Sequence, residues 1–585
     1  MAQVYVRAPT KTRSSARFRA PLWIDALVFI AFIGLAYGLV GAASRWARPL
    51  TPNGSIDLSP WSLPRYAGLS TMRMAIAYIL SLVFSIAYAR IAVANRRAER
   101  VMIPILDILQ SVPILSFLPG VVLALVALFP HSQIGLELAA IVLIFTSQAW
   151  NLAFSFHQSL TTIPKELSDA ATIYRLNFWQ RFTRLELPFG TIPLVWNSMM
   201  SWAGGWFFLM AAEQLTLGKQ SFQLPGLGSY LQVAANAGNT GALLLGLGTL
   251  IVVIVLMDRF VWRPLIAWSD RFKVESTAGA AAPESLVLRE LGRSRLINWI
   301  GRHVALPLGQ RLDRILGQGP ARSGAGETAA VPGERQAFRR VAGWLLLGLA
   351  GLALLLAIVD ALRLFVQVTP GEWGQIGVAA GATLLRAAIA LALAVLWTVP
   401  VGVAIGFSPK WSQRAQPLVQ IFASIPALAI FPALLVFFLK IPGGLNIASV
   451  ALMLLGTQWY VLFNVIAGTM AIPEDLREAA VVYKLRGWRR WRFLIIPAIF
   501  PFLLTGMITA TGGAWNASIV SEYVTFGGHT YTTVGLGATI ASSAGSGRYA
   551  LLLAATVTMA AVVVTVNRLF WRRLYRIAEQ RYHLD

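Results

Sequence analysis

Two acidic residues, Glu213 and Glu522, stand at the ends of long apolar stretches of the sequence. An ionisable group at membrane depth is costly and therefore usually faces a cavity or a partner. We expect each carboxylate to be a polar element of a pathway or gate near the outer side of a membrane. The alternative is an acid that reaches the interface or pairs with an amide such as Gln214. A carboxylate is an awkward ligand for an anion, so neither is predicted to bind an anionic substrate directly.

Other side chains of these stretches have the size or polarity to line a pathway. Trp206 and Trp515 lie beside glycine pairs, where small residues permit close helix approach and an aromatic ring could close a pore. Plain packing is the alternative for both, and each asparagine is as suited to bridging helices as to lining a pathway. Two Gly-Leu-Gly turns would allow a tight, irregular backbone at the outer mouth. The remaining pathway candidates are Asn151, Asn464, Asn516, Gly226, Gly228, Gly535 and Gly537.

The sequence contains no constellation of residues typical of an enzyme. Cysteine is absent, and the five histidines are scattered without the spacing of metal ligands. No Gly-x-x-x-x-Gly-Lys-Ser/Thr phosphate loop and no Ser/His/Asp arrangement occurs in it. The chain is therefore predicted not to be an enzyme and to hold no metal or cofactor itself.

The composition is typical of a membrane protein. Of the 585 residues, 57% are hydrophobic and only 13% are charged, and the mean hydropathy is +0.64. A soluble protein of this length would need more charge to cover its surface. The net charge of +24 reflects basic residues that flank apolar segments and do not form a basic domain, so nucleic-acid binding is not expected.

The apolar segments divide into two sets of six, each segment near the roughly 20 residues that cross a bilayer. Basic residues before the first segment and after the last predict that both termini are cytoplasmic. The first segment lacks a clear cleavage site and is predicted to be a membrane helix, not a signal peptide. Arg73 and Arg386 begin the second span of each set and are expected to be anchors that extend to the interface, with the attraction of anions as the alternative. The predicted spans are 22–42, 69–93, 103–129, 134–158, 188–213, 240–266, 341–365, 376–407, 415–439, 446–469, 495–521 and 549–571.

The sequence between the two sets changes character. Stretches rich in Gly, Ala, Pro and Ser at 276–283 and 317–326 indicate flexible linker. Between them, 284–316 interleaves apolar residues with arginines, which predicts a basic amphipathic helix on the inner leaflet or, alternatively, a solvated linker helix. The predicted domains are a basic cytoplasmic N-terminus (1–21), a first half (22–271), a cytoplasmic linker (272–340), a second half (341–575) and a cytoplasmic tail (576–585).

An internal repeat relates the two sets of spans. Ser70-Thr-Met-Arg73 matches Thr383-Leu-Leu-Arg386, and Ser111-Val-Pro113 matches Ser424-Ile-Pro426 at the same offset. The two glutamates and the Gly-Leu-Gly turns also fall on each other. So many matches in one order exceed what apolar composition produces, and an even number of spans in each half gives the halves parallel topology. We infer an all-α polytopic membrane protein with about six plus six transmembrane helices.

The most specific repeated motif is a loop before the fifth span of each half. It is Ile163-Pro-Lys-Glu-Leu-Ser-Asp-Ala-Ala in the first copy and Ile472-Pro-Glu-Asp-Leu-Arg-Glu-Ala-Ala in the second. Proline suits the first turn of a helix, and the acids that follow favour the positive end of its dipole. The paired alanines would leave a shallow surface on which another protein could dock. A chance Ala-Ala pair is disfavoured because the motif occurs twice in register.

These loops resemble the EAA loop of binding-protein-dependent ABC importers, in which Glu-Ala-Ala is followed by a glycine and then by a hydrophobic-Pro pair. Asp169 replaces the glutamate in the first copy, and Arg175 and Lys484 stand at the glycine position. In that family the short helices of this loop seat in a cleft of the ATPase and transmit its closure. The resemblance implies ATPase-coupling roles for Asp169, Ala170, Ala171, Tyr174, Glu478, Ala479, Ala480 and Tyr483.

Other segments resemble the duplicated anion-type permeases related to nitrate, sulfonate and taurine transport. They include Gln148-Ala-Trp-Asn, Leu185-Glu-Leu-Pro and Gly456-Thr-Gln-Trp, and the resemblance covers about 65–270 and 375–575. It implies two tandem type I ABC-importer permease domains in a bacterial inner membrane, importing a small anion by alternating access. It also implies two copies of a separate ATPase, which binds ATP and Mg, and allows for a periplasmic or lipid-anchored solute-binding protein.

Two alternatives stay open. Spans in two parallel halves also describe a secondary transporter, which would have buried charge pairs for ion coupling and no docking loop; the sequence suggests the reverse. The other alternative is an ATPase-associated membrane scaffold or sensor, which a transport assay would exclude. The sequence specifies neither the substrate nor the direction of transport.

Overall fold

A computed structural model of the chain describes residues 56–130, 132–217, 220–272, 286–294, 299, 301–317, 348, 352, 355–356, 358–408, 411, 415, 419, 422–526 and 529–581. The chain divides into two compact units. The smaller unit includes Ile163–Ile192 and Asp258–Gly324, and the larger includes Ser44–Thr162, Pro193–Met257 and Ala325–Asp585. The predicted span 22–42 and much of the span 341–365 lie outside the described residues.

The first half folds almost entirely into helices, as its long apolar runs predict. In the described part of this half one short hairpin interrupts the helices, and π-helical turns occur at Phe182–Glu186 and Asp258–Trp262. The elements are α1 (Leu63–Ala94), α2 (Arg96–Ser111), α3 (Ile114–Leu128), α4 (Ile134–Thr161), α5 (Lys165–Ile173), α6 (Phe178–Arg181), α7 (Leu187–Glu213), β1 (Gln214–Leu217), β2 (Gln220–Gln223), α8 (Leu227–Asn236), α9 (Thr240–Met257) and α10 (Arg263–Ser269).

The linker and the second half continue this pattern. The linker helices α11 (Leu286–Arg293) and α12 (Leu306–Gly317) lie within the predicted amphipathic segment, and Ser294 between them is not helical. π-Helical turns recur at Trp491–Ile495 and Asn567–Trp571. The other elements are α13 (Pro370–Gly406), α14 (Ala427–Phe438), α15 (Gly444–Met470), α16 (Glu474–Val482), α17 (Trp488–Arg490), α18 (Ile496–Ser521), β3 (Tyr523–Phe526), β4 (His529–Thr532), α19 (Leu536–Ser546), α20 (Tyr549–Val566) and α21 (Arg572–Arg581).

Within the described residues, seven helical segments are long and apolar enough to cross a membrane, which confirms a polytopic helical fold. They are Pro60–Ala94, Ile134–Thr161, Thr240–Phe272, Pro370–Gly406, Gly444–Met470, Trp488–Ser521 and Tyr549–Ala578. α7 has 27 residues, so its length also suffices, but polar side chains such as Asn197 and Ser201 make it less apolar.

The predicted spans 103–129 and 415–439 are wrong as continuous helices. The first is two helices, α2 and α3, separated at Val112 and Pro113, both of which have extended backbone. In the second, α14 begins at Ala427, directly after extended Pro426. Proline lacks an N–H and disfavours helical backbone at the residue before it, so each proline starts a new short helix. Ile114–Leu128 and Ala427–Phe438 are apolar but too short to span alone.

Small and hydroxyl residues bring the long helices of each half together. Ser85 Oγ in α1 donates to the carbonyl of Ala149 in α4 at 2.8 Å. In the second half, a Cβ at Gly402 of α13 would lie 2.8 Å from the side chain of Val465 in α15. Close backbone approach of this kind is how helices pack where lipid provides no hydrophobic driving force. The ends of α7 and α18 also contact α1 and α13, through Glu213 and Ser70 in the first half and Glu522 and Thr383 in the second.

A two-stranded antiparallel hairpin follows α7 and another follows α18, which the sequence did not predict. β1 pairs with β2 through Gln214–Gln223, and β3 pairs with β4 through Tyr523–Thr532. Each hairpin returns the chain to a Gly-Leu-Gly turn, from which α8 or α19 begins. The hairpins therefore bring these turns back to Glu213 and Glu522.

Candidate functional site: buried ion pairs, inter-half cavities and coupling loops

Glu213 is fully buried in a closed set of hydrogen bonds, the Glu213 cluster, formed with Ser70, Arg73, Glu137 and Gly228. Arg73 Nη1 donates to Glu213 Oε1 at 2.8 Å, while its Nε and Nη2 donate to the two oxygens of Glu137 at 2.6 and 2.8 Å. Ser70 Oγ donates to Oε1 at 2.6 Å, and the Gly228 N–H donates to Oε2 at 2.7 Å. Both oxygens of this carboxylate are therefore satisfied, as a buried charge requires.

The second half repeats the arrangement as the Glu522 cluster, formed by Thr383, Arg386, Asn446, Glu522 and Gly537. Arg386 Nη1 and Thr383 Oγ1 each donate to Glu522 Oε1 at 2.8 Å, and the Gly537 N–H donates to Oε2 at 2.9 Å. Arg386 Nη2 donates to Asn446 Oδ1 at 2.7 Å. Asn446 thus takes the place that a glutamate has in the Glu213 cluster, so the second cluster has one carboxylate fewer.

The Gly-Leu-Gly turns have glycine because a carboxylate packs closely against them, and not because the turns need an unusual backbone conformation. This corrects the interpretation made from the sequence. Gly226 and Gly535 have φ of −178° and 177°, extended conformations open to any residue. A Cβ at Gly226 would collide with the carboxylate of Glu213, and one at Gly535 with that of Glu522. Each glycine begins a helix, so each carboxylate also lies at the positive end of a helix dipole.

The expectation that Arg73 and Arg386 extend to the interface is wrong. Arg73 is 1% exposed and Arg386 is 9% exposed, and both form ion pairs inside the protein. The alternative for Glu213, an acid at the interface or paired with Gln214, is also wrong, because Gln214 Nε2 donates to the carbonyl of Gly228 instead. The argument against a secondary transporter also assumed that this chain has no buried charge pairs, and that assumption is wrong as well. Whether Glu213 and Glu522 act in a gate stays a prediction.

Among the described residues of the larger unit, three cavities lie between the first and second halves. The central cavity has a volume of about 90 Å³ and a mostly apolar, aromatic wall with Tyr460 and Asn516 as its polar members. The amino-terminal end of the short helix α14 reaches it through Pro426 and Ala427. Other lining residues are Met200, Gly204, Phe207, Phe208, Trp459 and Gly513.

The other two cavities are larger and have more polar linings. The arginine cavity, of about 840 Å³, is lined by Arg568, Arg572 and Arg576 with hydroxyls and amides of Thr509 and Asn516. The hairpin cavity, of about 640 Å³, has an uncharged polar lining, and its described lining residues include no acid or base. Its polar members include Gln214, Gln223, Ser229, Gln232, Tyr523 and Ser542.

Helix α18 contributes to the three cavities in order along its length. Thr509 lines the arginine cavity, Asn516 lines both that cavity and the central one, and Val520 lines the hairpin cavity. At 1.5 Å per residue these positions cover roughly 16 Å of helix. Asn516 Oδ1 also accepts the Leu115 N–H at 3.2 Å, so it contacts the first turn of α3, which follows the interruption at Pro113.

The other predicted pathway residues occupy different surroundings. Trp206 and Trp515 are 1% and 0% exposed and line none of these three cavities, and Trp515 belongs to a hydrophobic core. Asn151 Nδ2 donates to Ser201 Oγ at 2.9 Å and so bridges α4 and α7. Asn464 Nδ2 donates at 2.8 Å to a carbonyl one turn earlier in its own helix. Of the three asparagines, Asn516 is the one that lines these cavities.

The two predicted coupling loops share one backbone conformation. α5 and α16 each begin after a proline, and each ends with an N–H bonded to the carbonyl five residues earlier, at 3.0 Å for Leu176 and 2.8 Å for Leu485. Arg175 and Lys484 have φ of 48° and 51°, the left-handed conformation that ends a helix in a Schellman motif. The residues at the glycine position of the EAA pattern thus retain the turn that glycine favours, at a cost of about 1–2 kcal/mol each.

The exposed surface of each loop carries acidic, basic and aromatic side chains, not the alanine surface expected from the sequence. Ala171 and Ala480 are buried, and Ala170 and Ala479 are half-buried, whereas the acid before each pair, Asp169 or Glu478, is exposed. Tyr174 and Tyr483 are 79% and 78% exposed. Further exposed apolar residues near the loops are Ile173, Phe178, Val481, Val482 and Trp488. Exposed apolar patches are a common feature of protein-interaction sites.

Sequence reasoning missed the partners of the two glutamates. Arg73, Arg386 and Glu137 lie in apolar helices, where a charge is rare and usually paired. The repeat aligned the two arginines with each other and the two glutamates with each other, so each half contained one buried cation and one buried anion. That recurrence was the signal that could have predicted the pairs.

Comparison with known proteins gives two matches to one family model. The model, described as binding-protein-dependent transport system inner membrane component, matches residues 81–261 and again residues 398–583. The nitrate import permease protein NrtB of Leptolyngbya laminosa is 27% identical over 188 residues, 32% of this chain and 64% of that protein. The taurine transport system permease protein TauC of Escherichia coli is 28% identical over 196 residues, 33% of this chain and 67% of that protein.

A third relative is the bicarbonate transport system permease protein CmpB of Synechococcus elongatus. It is 28% identical over 146 residues, which are 25% of this chain and 51% of that protein. The matched segments thus span between about half and two thirds of these relatives. Each matched segment covers about a third of this chain or less, whereas the family model matches both halves of the chain.

Proposed function

Because this chain belongs to the binding-protein-dependent transport system inner membrane components and carries their domain twice, we propose that it is the permease of an ATP-driven importer. In this proposal the two halves form one pathway in a bacterial inner membrane, and the solute is a small anion. Both termini are cytoplasmic, as the flanking basic residues suggest. ATP and Mg bind to a separate ATPase.

The observation that carries the proposal is the repeated coupling loop. Each loop is a short helix after a proline, closed by the same left-handed residue, with an exposed acid and an exposed tyrosine. Two loops of equal conformation suit two copies of one ATPase. When ATP closes the ATPase pair, the loops move with it, and the halves alternate between two openings.

Three features support a small anion as the solute. The relatives above are named for nitrate, taurine and bicarbonate. The central cavity, at about 90 Å³, exceeds the roughly 10–15 Å³ that one water needs but excludes a large solute. The arginine cavity would attract anions electrostatically. An external solute-binding protein would then deliver the anion at the hairpin cavity.

The buried ion pairs are the observation that favours a second candidate, a secondary transporter. In such a protein buried charges exchange a coupling ion, so they need an open binding position. Arg73 here makes four hydrogen bonds, and both oxygens of Glu213 have donors. These contacts suit a structural pair better than an ion-exchanging one.

Native mass spectrometry and uptake by proteoliposomes test the proposal together. The chain, purified gently from its own membrane, should carry two copies of an ATPase, and the reconstituted complex should import isotope-labelled nitrate, taurine or bicarbonate only with ATP. Uptake driven by an ion gradient without ATP would support the secondary transporter instead. A complex with ATPase that moves none of these anions would overturn the anion proposal and favour a scaffold or sensor.

A further inference from the structure

Three basic side chains lie in the lining of the arginine cavity. Arg568, Arg572 and Arg576 line it, and its described lining includes no aspartate or glutamate. The three recur at intervals of four residues, so they face one side of the segment that runs from the π-helical turn into α21. Like charges at this spacing repel each other. A bound anion would offset that repulsion.

The first half shows the same segment with an acid in place. Its π-helical turn begins at Asp258, the residue that the repeat aligns with Asn567. Asp258 Oδ2 accepts a hydrogen bond from Arg263 Nε at 2.8 Å, and Arg263 aligns with Arg572. At the position aligned with Asp258 the second half has the uncharged amide of Asn567.

The cavity is built from fixed walls that supply further hydrogen-bonding groups. Trp571 and Ala578 pack on Leu504, which holds the arginine-bearing segment against α18. Thr509 on α18 adds a hydroxyl, and Asn516 on the same helix connects this cavity to the central one. An anion leaving the central cavity along α18 would therefore meet the arginines next.

We propose that the arginine cavity is a binding site for oxyanions, placed between the central cavity and the side of the membrane that holds α21. This rests on the proposed transport function and deepens it, because the ligand is the transported anion itself. Guanidinium groups match oxyanions through paired N–H donors. The arginine residues are exposed, so the anion is held loosely and exchanges with solvent. A phospholipid headgroup presents the same chemistry, and the experiment separates the two sources.

Because the chain contains no cysteine, a single introduced thiol reports on each cavity. Thr509→Cys is placed in the arginine cavity and Ser542→Cys in the hairpin cavity of the full chain, purified with any bound ATPase into phosphatidylcholine nanodiscs. The reagents are an anionic sulfonatoethyl and a cationic trimethylammonioethyl methanethiosulfonate. Mass spectrometry of this chain gives the ratio of the anionic to the cationic reaction rate. We expect that ratio to fall about tenfold for the Thr509→Cys thiol when Arg568→Gln and Arg576→Gln are added.

Matched variants and a second probe make the result specific. Asn567→Asp, which restores the acid of the first half, should lower the ratio at the same thiol with all arginines present. Neither change should alter the ratio for the thiol in the hairpin cavity. Sulfate should slow the anionic reagent at the Thr509→Cys site more than chloride at equal ionic strength, which excludes simple screening.

The outcomes separate the site from the transport function, since none of these readings needs ATP or uptake. If the arginine substitutions leave the ratio of anionic to cationic reaction rates unchanged, the proposed site is wrong, even if uptake is normal. If sulfate protects no better than chloride, and phosphatidylglycerol in the nanodisc abolishes the anionic preference, the ligand is a lipid and the pathway role is wrong. Protection by sulfate that persists with phosphatidylglycerol present supports a solute site, whether or not an ATPase is found.

Discussion

Arg73 and Glu213 form an ion pair with no solvent access, with 2.8 Å between Nη1 and Oε1. The pair connects α1, which carries Arg73, to the end of α7, which carries Glu213. It also connects both to α8, because the same carboxylate accepts the Gly228 N–H at the start of that helix. Its counterpart joins Arg386 to Glu522 at the same distance. Each pair thus fastens the end of a long helix to the turn that begins the next one. The two differ in charge, because Glu137 gives Arg73 a second carboxylate.

This difference predicts unequal costs for removing the two glutamates. Glu213→Gln leaves Arg73 paired with Glu137, whereas Glu522→Gln leaves Arg386 beside a neutral amide. A buried charge without its partner costs about 3–5 kcal/mol, and a disrupted buried hydrogen bond about 1–3 kcal/mol. Thermal unfolding in detergent should therefore show a larger loss for Glu522→Gln.

A compensating substitution provides the control for this comparison. Asn446→Glu places a carboxylate where the first half has Glu137, and it should recover most of the stability lost in Glu522→Gln. Equal losses for the two single variants, with no recovery in the double variant, would mean that charge balance does not govern these clusters.

The turn glycines lead to a second prediction. Gly226→Ala and Gly535→Ala should each destabilise the protein by about 1–3 kcal/mol, because the added methyl group displaces a buried carboxylate. Gly68→Ala is the control, since a Cβ there meets nothing within 4 Å and alanine favours a helix. The measurement is the unfolding temperature of each variant. If Gly226→Ala changes it no more than Gly68→Ala does, the Glu213 cluster is not packed tightly against this turn.

Much of this arrangement could be predicted from the sequence, because the signals are periodic or repeated. Apolar length predicted the long helices, and the register of the repeat aligned Glu213 with Glu522 before any contact was known. The interruption at Pro113 was harder to predict, because apolar composition continues through it. The signal for the interruption is the proline itself, whose missing N–H starts a new helix there.

Pairing and steric fit could not be predicted from one chain. An arginine near the start of an apolar span could be an anchor at the membrane interface or the buried partner of an acid. For Arg73 the choice depends on the tertiary fold, in which the hairpin brings the chain back to this residue. The turn glycines present the same difficulty, because their φ angles are ordinary. Their constraint is a carboxylate 13 residues away in sequence at Gly226, a distance that no local pattern reports.

The closing turns of the coupling loops lead to a third prediction. Arg175→Gly and Lys484→Gly should stabilise their loops, since glycine adopts φ of about 50° without the cost of roughly 1–2 kcal/mol that other residues carry. Slower hydrogen exchange at Leu176 and Leu485 is the measurement. Arg175→Ala retains the strain and should leave exchange nearly unchanged. Faster exchange in the glycine variants would mean that the long basic side chains, not the turn, stabilise the loop ends.

Charge reversal in the coupling loops gives a fourth prediction. Asp169 and Glu478 are exposed, so Asp169→Lys with Glu478→Lys should leave the fold intact. We expect the double variant to lose bound ATPase, or to hydrolyse ATP without uptake. Native mass spectrometry and paired ATPase and uptake assays distinguish these outcomes. The swap Asp169→Glu with Glu478→Asp keeps both charges and should retain most activity. Normal uptake by the charge-reversed chain would remove these loops from the coupling mechanism.

Filling the central cavity is the most direct test of the pathway. A Cβ at Gly204 would lie 3.3 Å from Tyr460 Oη, so Gly204→Leu places its side chain inside a cavity of only about 90 Å³. Uptake should fall at least about tenfold while the bound ATPase is retained. Gly248→Leu adds the same side chain where nothing lies within 4 Å, and it should transport normally. If both variants transport at the same rate, the anion does not pass through the central cavity, and a route elsewhere between the halves must be sought.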